Sequence, residues 1–524
     1  YKINFWTLSS FFIGILIFIP IGLVIISIND FTSNWKHISE TVLNNYLFNS
    51  ILLVLGTTFF SLIFGVSSAW LVSIYKFPGH KQFKWLLILP LAIPTYIAAY
   101  AYFDILDLFN PILLWIKSNI SLLAMNRTDS FLVYIMTTLV MSSVLYPYVY
   151  LVARSSFETQ GNHIISVARS LGYSTYESFW KIVLPLSRPA IVAGMSLVIM
   201  ETLSDYGAVK HFGIQTFTYG IFRTWFGMGD LTSALRLAVV LMSFTLSILF
   251  IEKKNRSNAQ YSEKLVKRSS YEKINLNGLK SIIAIICCFV PLFFGFILPI
   301  LRLGHWVFLS KAYFFELSIL KLSCNTIILS FMTSILTVLI SVLFVFSVKY
   351  FKSSIVKITN KIAILGYSIP GAVIAMGILI LVGHISNLTG IVLSGTVFFL
   401  IFAYIVRFLA VAYQPIESGM EKNCDKLNDA AKTLGASPFF TFYKINIPIL
   451  KNSVLVAALL VFIDATKELP LTLILRPFNF ETLATRTFDL SNQAQIIESS
   501  IPSMSIIFLV VIPIIYLNRR IGSI

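Results

Sequence analysis

The chain has 524 residues, of which 57% are hydrophobic and only 12% charged, with a formal net charge of +17. A soluble domain carries roughly 25% charged residues, so the composition excludes an ordinary soluble protein and points to the membrane. The excess of basic residues then belongs on inner loops, where membrane proteins collect Lys and Arg, and is no argument for nucleic acid.

A spanning helix takes ~20 mostly apolar residues. About twelve segments qualify: 5–29, 46–75, 85–107, 130–153, 189–209, 231–251, 281–303, 322–348, 362–383, 389–413, 452–475 and 499–517. The first reads as a span, not as a cleaved signal peptide. Pro90, Pro94 and Pro370 interrupt the third and ninth. With the amino terminus inside, 27 Lys and Arg side chains fall on inner segments and twelve on outer ones. That bias places both termini in the cytoplasm. The four cysteines, Cys287, Cys288, Cys324 and Cys424, form no Cys-x-x-Cys. They read as small apolar fillers, with no disulfide or metal signature.

The chain repeats itself. NSILLVLGTTFFSLIFG begins at Asn49, and NTIILSFMTSILTVLIS begins 276 residues later at Asn325. Pro94 and Pro370 share that offset, whereas Tyr150 and Tyr413, and Gly172 and Gly435, lie 263 apart. Thirteen residues are missing from an outer loop of the second half; the first half is longer there, at 108–129. The expected organisation is a first transmembrane half over 1–251, a cytoplasmic linker over 252–280 acting as a passive tether, and a second transmembrane half over 281–524. Six spans per half make the halves parallel repeats about an axis along the membrane normal.

Between spans four and five each half has an inner segment of about 35 residues, long for a simple reconnection. In the first, Val167, Leu171, Phe179, Trp180, Val183 and Leu184 form apolar faces. In the second, Leu427, Ala430, Ala431 and Leu434 recur at the spacing of a short amphipathic helix. Gly172 and Gly435 are placed to stop those helices, and Ser174 and Ser437 to cap the next ones. Small residues at Ala168, Ala430 and Ala431, flanked by basic ones, suit a helix laid into a partner's groove. An interfacial helix on lipid headgroups is the alternative. Two matched copies favour a partner with two equivalent sites.

Four acids fall in or near the fifth and eleventh spans. Glu201 and Asp205 are four apart, as are Asp464 and Glu468, and the 263-residue offset maps one pair onto the other. Each pair is expected on one helix face. Glu201 lies twelve residues after Pro189, or ~18 Å along a helix, beyond the membrane midplane. Intramembrane charges face the protein interior or water, so these four are candidates for a translocation pathway and for transient oxygen ligands to a hard cation. The competing reading ends the helix near residue 204, leaves Asp205 and Glu468 at the water interface, and pairs the acids with Lys210 and Lys467. Arg407 is a lone charge within a span. His211 and His305 read as interfacial side chains; Arg223, Arg476 and Arg486 read as outer-loop charges open to an acidic partner. The aromatic outer segments around Phe212, Phe217 and Trp225, and around Phe478 and Phe480, are expected to dip back as gates or docking loops.

The inner segments resemble the EAA coupling motif of ABC importer permeases: acid, two alanines, a glycine, and a proline thirteen residues on. Asp429, Ala430, Ala431, Gly435, Ile445 and Pro448 match it; the first copy keeps Ala168, Gly172, Ile182 and Pro185 but has Ser166 and Val167 where the acid and first alanine belong. METLSDYGAVKHFGIQTFTYGIFRTW (200–225) and KELPLTLILRPFNFETLATR (467–486) look like signature regions of ferric-iron permeases, which are fused two-half chains. The resemblance implies an all-α integral membrane protein of the type I importer fold, in a bacterial inner membrane. It implies coupling to two ABC ATPase subunits through Ser166, Ala168, Leu171, Gly172, Pro185, Asp429, Ala430, Ala431, Leu434, Gly435 and Pro448, with the firmer grip in the second half. It also implies a periplasmic iron-binding protein as donor, membrane lipid as surroundings and no nucleic acid. ATP and Mg would sit on the ATPase subunits, with no cofactor on this chain and no enzymatic activity of its own. Accordingly, the sequence holds no G-x-x-x-x-G-K-[ST] loop. Thiamine permeases share the fused architecture, so a thiamine or other small-solute permease is the alternative. A twelve-span secondary transporter shares the repeat but does not account for the two inner segments.

Overall fold

The computed structural model describes residues 4–27, 33–158, 168, 170, 172–257, 273–310, 317–351, 353–423 and 425–521. Apolar helices dominate, as they must where lipid offers no partner to a free backbone N–H or C=O. Among the described residues ten helices are long and apolar enough to cross a membrane, or up to twelve when two sharply bent pairs are each taken as one span. The principal helices of the first half are α1 (Phe5–Ile26), α2 (Leu43–Ile74), α3 (Thr95–Leu106), α4 (Leu122–Ser156), α5 (Arg188–Ser204) and α6 (Leu231–Ser257). Those of the second are α7 (Leu279–Leu309), α8 (Leu317–Phe351), α9 (Gly371–Thr389), α10 (Val397–Asn423), α11 (Ile447–Lys467) and α12 (Ser500–Ile521).

The repeat governs packing as well as sequence. Leu52, Leu55 and Phe59 on α2, and Phe331 and Leu339 on α8, lie on exposed faces suited to lipid. The opposite faces bury small polar side chains in register: Ser50, Thr57, Thr58 and Ser61 against Thr326, Thr333, Ser334 and Thr337. Such residues let membrane helices approach closely where apolar burial alone gives no preference for helix over lipid. Accordingly α2 packs on α4 and α5, and α8 packs on α10 and α11.

The third and ninth spans are broken where their prolines predict. A 3-10 turn at Leu89–Ala92 precedes Pro94 and α3, and its repeat at Leu365–Ser368 precedes Pro370 and α9. In the first half the two sides of the break stand at 90°. Proline removes a backbone donor and crowds the preceding turn, so the axis turns there. Two other spans differ from expectation. The fifth, read as continuous to 209, ends at Ser204, and the eleventh, read to 475, ends at Lys467.

The first helix of each half packs on the other half. α1 lies against α8 and α9, and α7 against α2, α3 and α4. The Trp6 ring meets Phe346 and Phe442 at 5.0 and 4.9 Å, and Ser10 Oγ donates to Asn360 Oδ1 at 3.0 Å. The sequence halves are therefore not separate packing units. The end of the linker is tied down too. Strands β1 (Tyr75–Lys76) and β2 (Ile274–Asn275) pair in parallel, and Lys273 Nζ donates to the Val72 carbonyl at 2.6 Å. Burial pulls the Lys273 amine below its ordinary pKa.

Candidate functional site

The end of α5 creates the first part of the site. Asp205 leaves the helix in an extended conformation, φ −69° and ψ 132°. Its carboxylate accepts from the Ala208 and Val209 amides at 2.9 and 3.3 Å and from the Thr95 hydroxyl, capping the short helix Gly207–His211. The second half repeats the construction. Glu468 follows α11 with φ −69° and ψ 124° and accepts from the Leu471 amide at 3.3 Å, above the helix Pro470–Leu475. Asp205 and Glu468 are 8% and 7% exposed. The helix end near 204 is thus real, but these acids are buried caps and do not sit at a water interface. Neither shares a helix face with its partner four residues earlier.

All four acids nonetheless line one cavity of about 80 Å³, drawn from both halves, together with Tyr96, Tyr148, Arg407 and Lys467. Glu201 accepts from the Tyr367 hydroxyl at 3.2 Å. Asp464 pairs with Lys467 at 3.1 Å, as the structural reading of the sequence anticipated. Lys210 does not join the acids; its amine lies 4.8 Å from the Phe488 ring centroid and 5.7 Å from that of Tyr206. Glu468 pairs with Arg407, Nε to Oε2 at 3.1 Å. Because each carboxylate is turned to its own partner, the four do not converge. Among the described residues no three His, Cys, Asp or Glu side chains are grouped to hold a metal ion. Sequence reasoning noted Arg407 only as a charge within a span. Its rarity at membrane depth was the signal that could have placed it here.

The segments around Gly172 and Gly435 are built as the repeat suggests. Gly172 and Gly435 have φ of +86° and +75°, a region L side chains enter only with strain. The Tyr173 amide returns to Ala168 O, and the Ala436 amide to Ala431 O, both at 3.0 Å, the closure of a glycine helix terminus. Ser174 accepts from the Glu177 amide at 3.2 Å and Ser437 from the Phe440 amide at 3.2 Å, so both serines cap. Each segment then passes through a π turn, Phe179–Val183 or Thr441–Asn446, and reaches Pro185 or Pro448. Ser166, Val167 and Leu171 lie outside the described residues.

Contrary to expectation, Ala168 and Ala431 are 1% and 5% exposed, so they let their own chain pack closely and present nothing to a partner. The outward stripe of the helix Asp425–Thr433 and its end is Leu427, Ala430 and Leu434, beside Asp429; Leu434 is 86% exposed. Phe439, Tyr443, Tyr176 and Trp180 are exposed beyond the turns. The copies also differ in shape. The first segment meets α5 at 68°, whereas Pro438–Lys467 counts as one span. Pro189 marks the bend, and Asn452 stands 263 residues later; proline at that place removes a helix hydrogen bond.

At the other ends of the spans, Asn49 Nδ2 donates to Gln215 O and Asn325 Nδ2 to Glu481 O, each at 3.0 Å. Ser50 and Thr326 accept from the amides of Phe217 and Leu483 at 3.2 and 2.9 Å. These matched bonds hold the helices Phe217–Phe222 and Leu483–Asn492. Phe212 and Phe217 are buried and Phe478 is exposed. Arg476 is engaged by Asp489 at 3.0 Å. His211 packs edge-on against Tyr100 at 4.6 Å, and His305 is exposed.

Residues 61–251 match the family described as binding-protein-dependent transport system inner membrane component. Over 532 aligned residues the chain is 26% identical to an Fe(3+)-transport system permease protein of Haemophilus influenzae, covering 98% of both chains. It is 25% identical over 207 residues to a sulfate transport system permease protein of Escherichia coli, covering 38% of this chain and 71% of that one. It is 26% identical over 204 residues to a molybdate/tungstate transport system permease protein of Thermococcus kodakarensis, covering 39% and 74%. The half-length relatives align with part of the chain, whereas the iron relative spans both repeats. With its duplicated, interlocked helices and matched loops, the chain is a multi-pass helical membrane protein that is similar over its full length to a fused two-half permease of a binding-protein-dependent transport system.

Proposed function

We propose that this permease passes ferric iron from a periplasmic binding protein to the cytoplasm of a bacterial cell, across the inner membrane and with both termini inside. The observation that carries the proposal is the cavity into which both halves bring Glu201, Asp205, Asp464 and Glu468. Hard cations take oxygen ligands, and carboxylates at membrane depth are costly unless they serve a pathway or a partner. The name of the full-length relative supports the same substrate. Two ATPase subunits would grip the stripe around Asp429, Ala430 and Leu434 and its counterpart before Gly172. Closure of the ATPases on ATP would then move both segments and, through the π turns, α5 and α11, whose outer ends carry the acids.

An oxyanion cargo is the second reading, favoured by Arg407 and Lys467 in the same cavity and by the sulfate and molybdate/tungstate relatives. Four carboxylates against two cations weigh against it, since like charge raises the barrier to an anion. The test is the double variant Glu201→Gln with Asp464→Asn. Iron uptake should fall by about tenfold or more, the loss expected when a charged contact is removed from a buried path, while the complex still assembles. Wild-type uptake by an assembled variant would overturn the proposal.

A further inference from the structure

We infer that Arg407 is the pathway's own counter-cation: it neutralises Glu468 between transport events and gives that carboxylate up to the cargo cation. The inference rests on the iron reading above and adds a residue and a mechanism to it.

The repeat isolates Arg407. The position 263 residues earlier is Val144, which lines the same cavity, so the fold does not need an arginine there. A second exchange accompanies the first. Thr95, whose hydroxyl donates to Asp205, has Gly371 as its counterpart 276 residues later. A Cβ at Gly371 would come within 2.8 Å of Glu468 Oε1 and 3.3 Å of Arg407 Nη1. The first half therefore holds its carboxylate with a neutral hydroxyl. The second half has removed that side chain, and the space admits a cation.

The grip is not that of a purely structural pair. Arginine suited to lasting structure meets a carboxylate with two parallel hydrogen bonds. Here the contact runs through Nε at 3.1 Å, and that N–H is not aligned for a hydrogen bond. Arg407 Nη1 also donates to the Ile369 carbonyl at 3.2 Å, at the break before α9. One side chain on α10 thus joins the two broken places of the second half, before α9 and after α11. A cation that takes Glu468 breaks the link between them.

Charge fits a trivalent cargo. With Arg407 withdrawn, the four carboxylates and Lys467 lining the cavity carry a formal charge of −3, which one bare trivalent cation neutralises. With Arg407 in place the sum is −2, and cargo and guanidinium would compete for the same oxygens. A further oxygen is available. The Tyr96 hydroxyl is buried without a hydrogen-bond partner in a side chain 3% exposed that lines the cavity.

The test uses the reconstituted complex of permease, ATPase subunits and binding protein, with iron(III), and with redox-inert gallium(III) citrate as the retention probe. Arg407→Gln should leave the cargo unopposed. The half-saturating concentration and the turnover should both fall, by about tenfold if one competing charge is worth ~1.4 kcal/mol, and the purified complex should retain gallium that the wild type releases. Arg407→Lys should restore turnover. Glu468→Gln should act oppositely, raising the half-saturating concentration without retention. Loss of turnover in Arg407→Gln with no retained metal and no rescue by lysine would make Arg407 a structural latch and overturn the inference alone, as would unchanged kinetics. A wild-type complex that responds to sulfate and not to iron or gallium would overturn the iron reading and this inference with it.

Discussion

Gly435→Val tests whether the inner segment transmits force through a shaped turn. Gly435 has φ of +75°, and a Cβ placed there meets nothing within 4 Å. The substitution therefore brings no clash, only the conformational cost of a left-handed L residue. That cost is roughly 1–2 kcal/mol, at the upper end for a β-branched side chain, or a five- to thirtyfold shift in the population of the native turn. The turn fixes the end of the helix Asp425–Thr433 through Ala436 N to Ala431 O at 3.0 Å. Its loss lets Leu434 and Asp429 move relative to Ser437 and α11. In proteoliposomes holding the whole complex, stimulation of ATP hydrolysis by loaded binding protein should drop by about that factor, while membrane insertion and subunit recovery stay normal. Full stimulation in Gly435→Val would refute the reasoning.

Two further outcomes follow from the packing. Expressing 1–260 and 261–524 as separate chains should give halves that copurify in mild detergent, because α1 lies on α8 and α9 and α7 on α2, α3 and α4; separation of the halves would contradict the interlock. Asp205→Ala removes the acceptor of two backbone amides and of Thr95, so the detergent-solubilised protein should lose about 1–3 kcal/mol of stability, seen as a lower unfolding temperature; an unchanged temperature would show that the cap is not needed.

What the sequence made legible was local or repeated. The glycine stops and serine caps at 172–174 and 435–437 depend on neighbouring residues alone, and the repeat confirmed each reading. The four acids were found because duplication kept their spacing. What stayed hidden depends on contacts between distant segments. An end near residue 204 is one of two readings the sequence allows, but what decides it is Thr95, which lies 110 residues away from Asp205, so no window around α5 contains its cause. The orientation of the helix Asp425–Thr433 was hidden for a similar reason. Apolar spacing grouped Ala431 with Leu434, but the fold tucks Ala431 inward and leaves Leu434 in the open. The exchange of first helices leaves no mark in periodicity, since a lipid-facing helix reads alike on either half.

The central claim is that this permease moves a ferric cation under ATP. Its most direct measurement is ATP hydrolysis by the reconstituted complex with the binding protein iron-loaded, iron-free, or replaced by sulfate- or molybdate-loaded counterparts. Only the iron-loaded protein should stimulate hydrolysis and deliver its metal to the vesicle interior. Stimulation by an oxyanion-loaded protein, with none by the iron-loaded one, would contradict the claim.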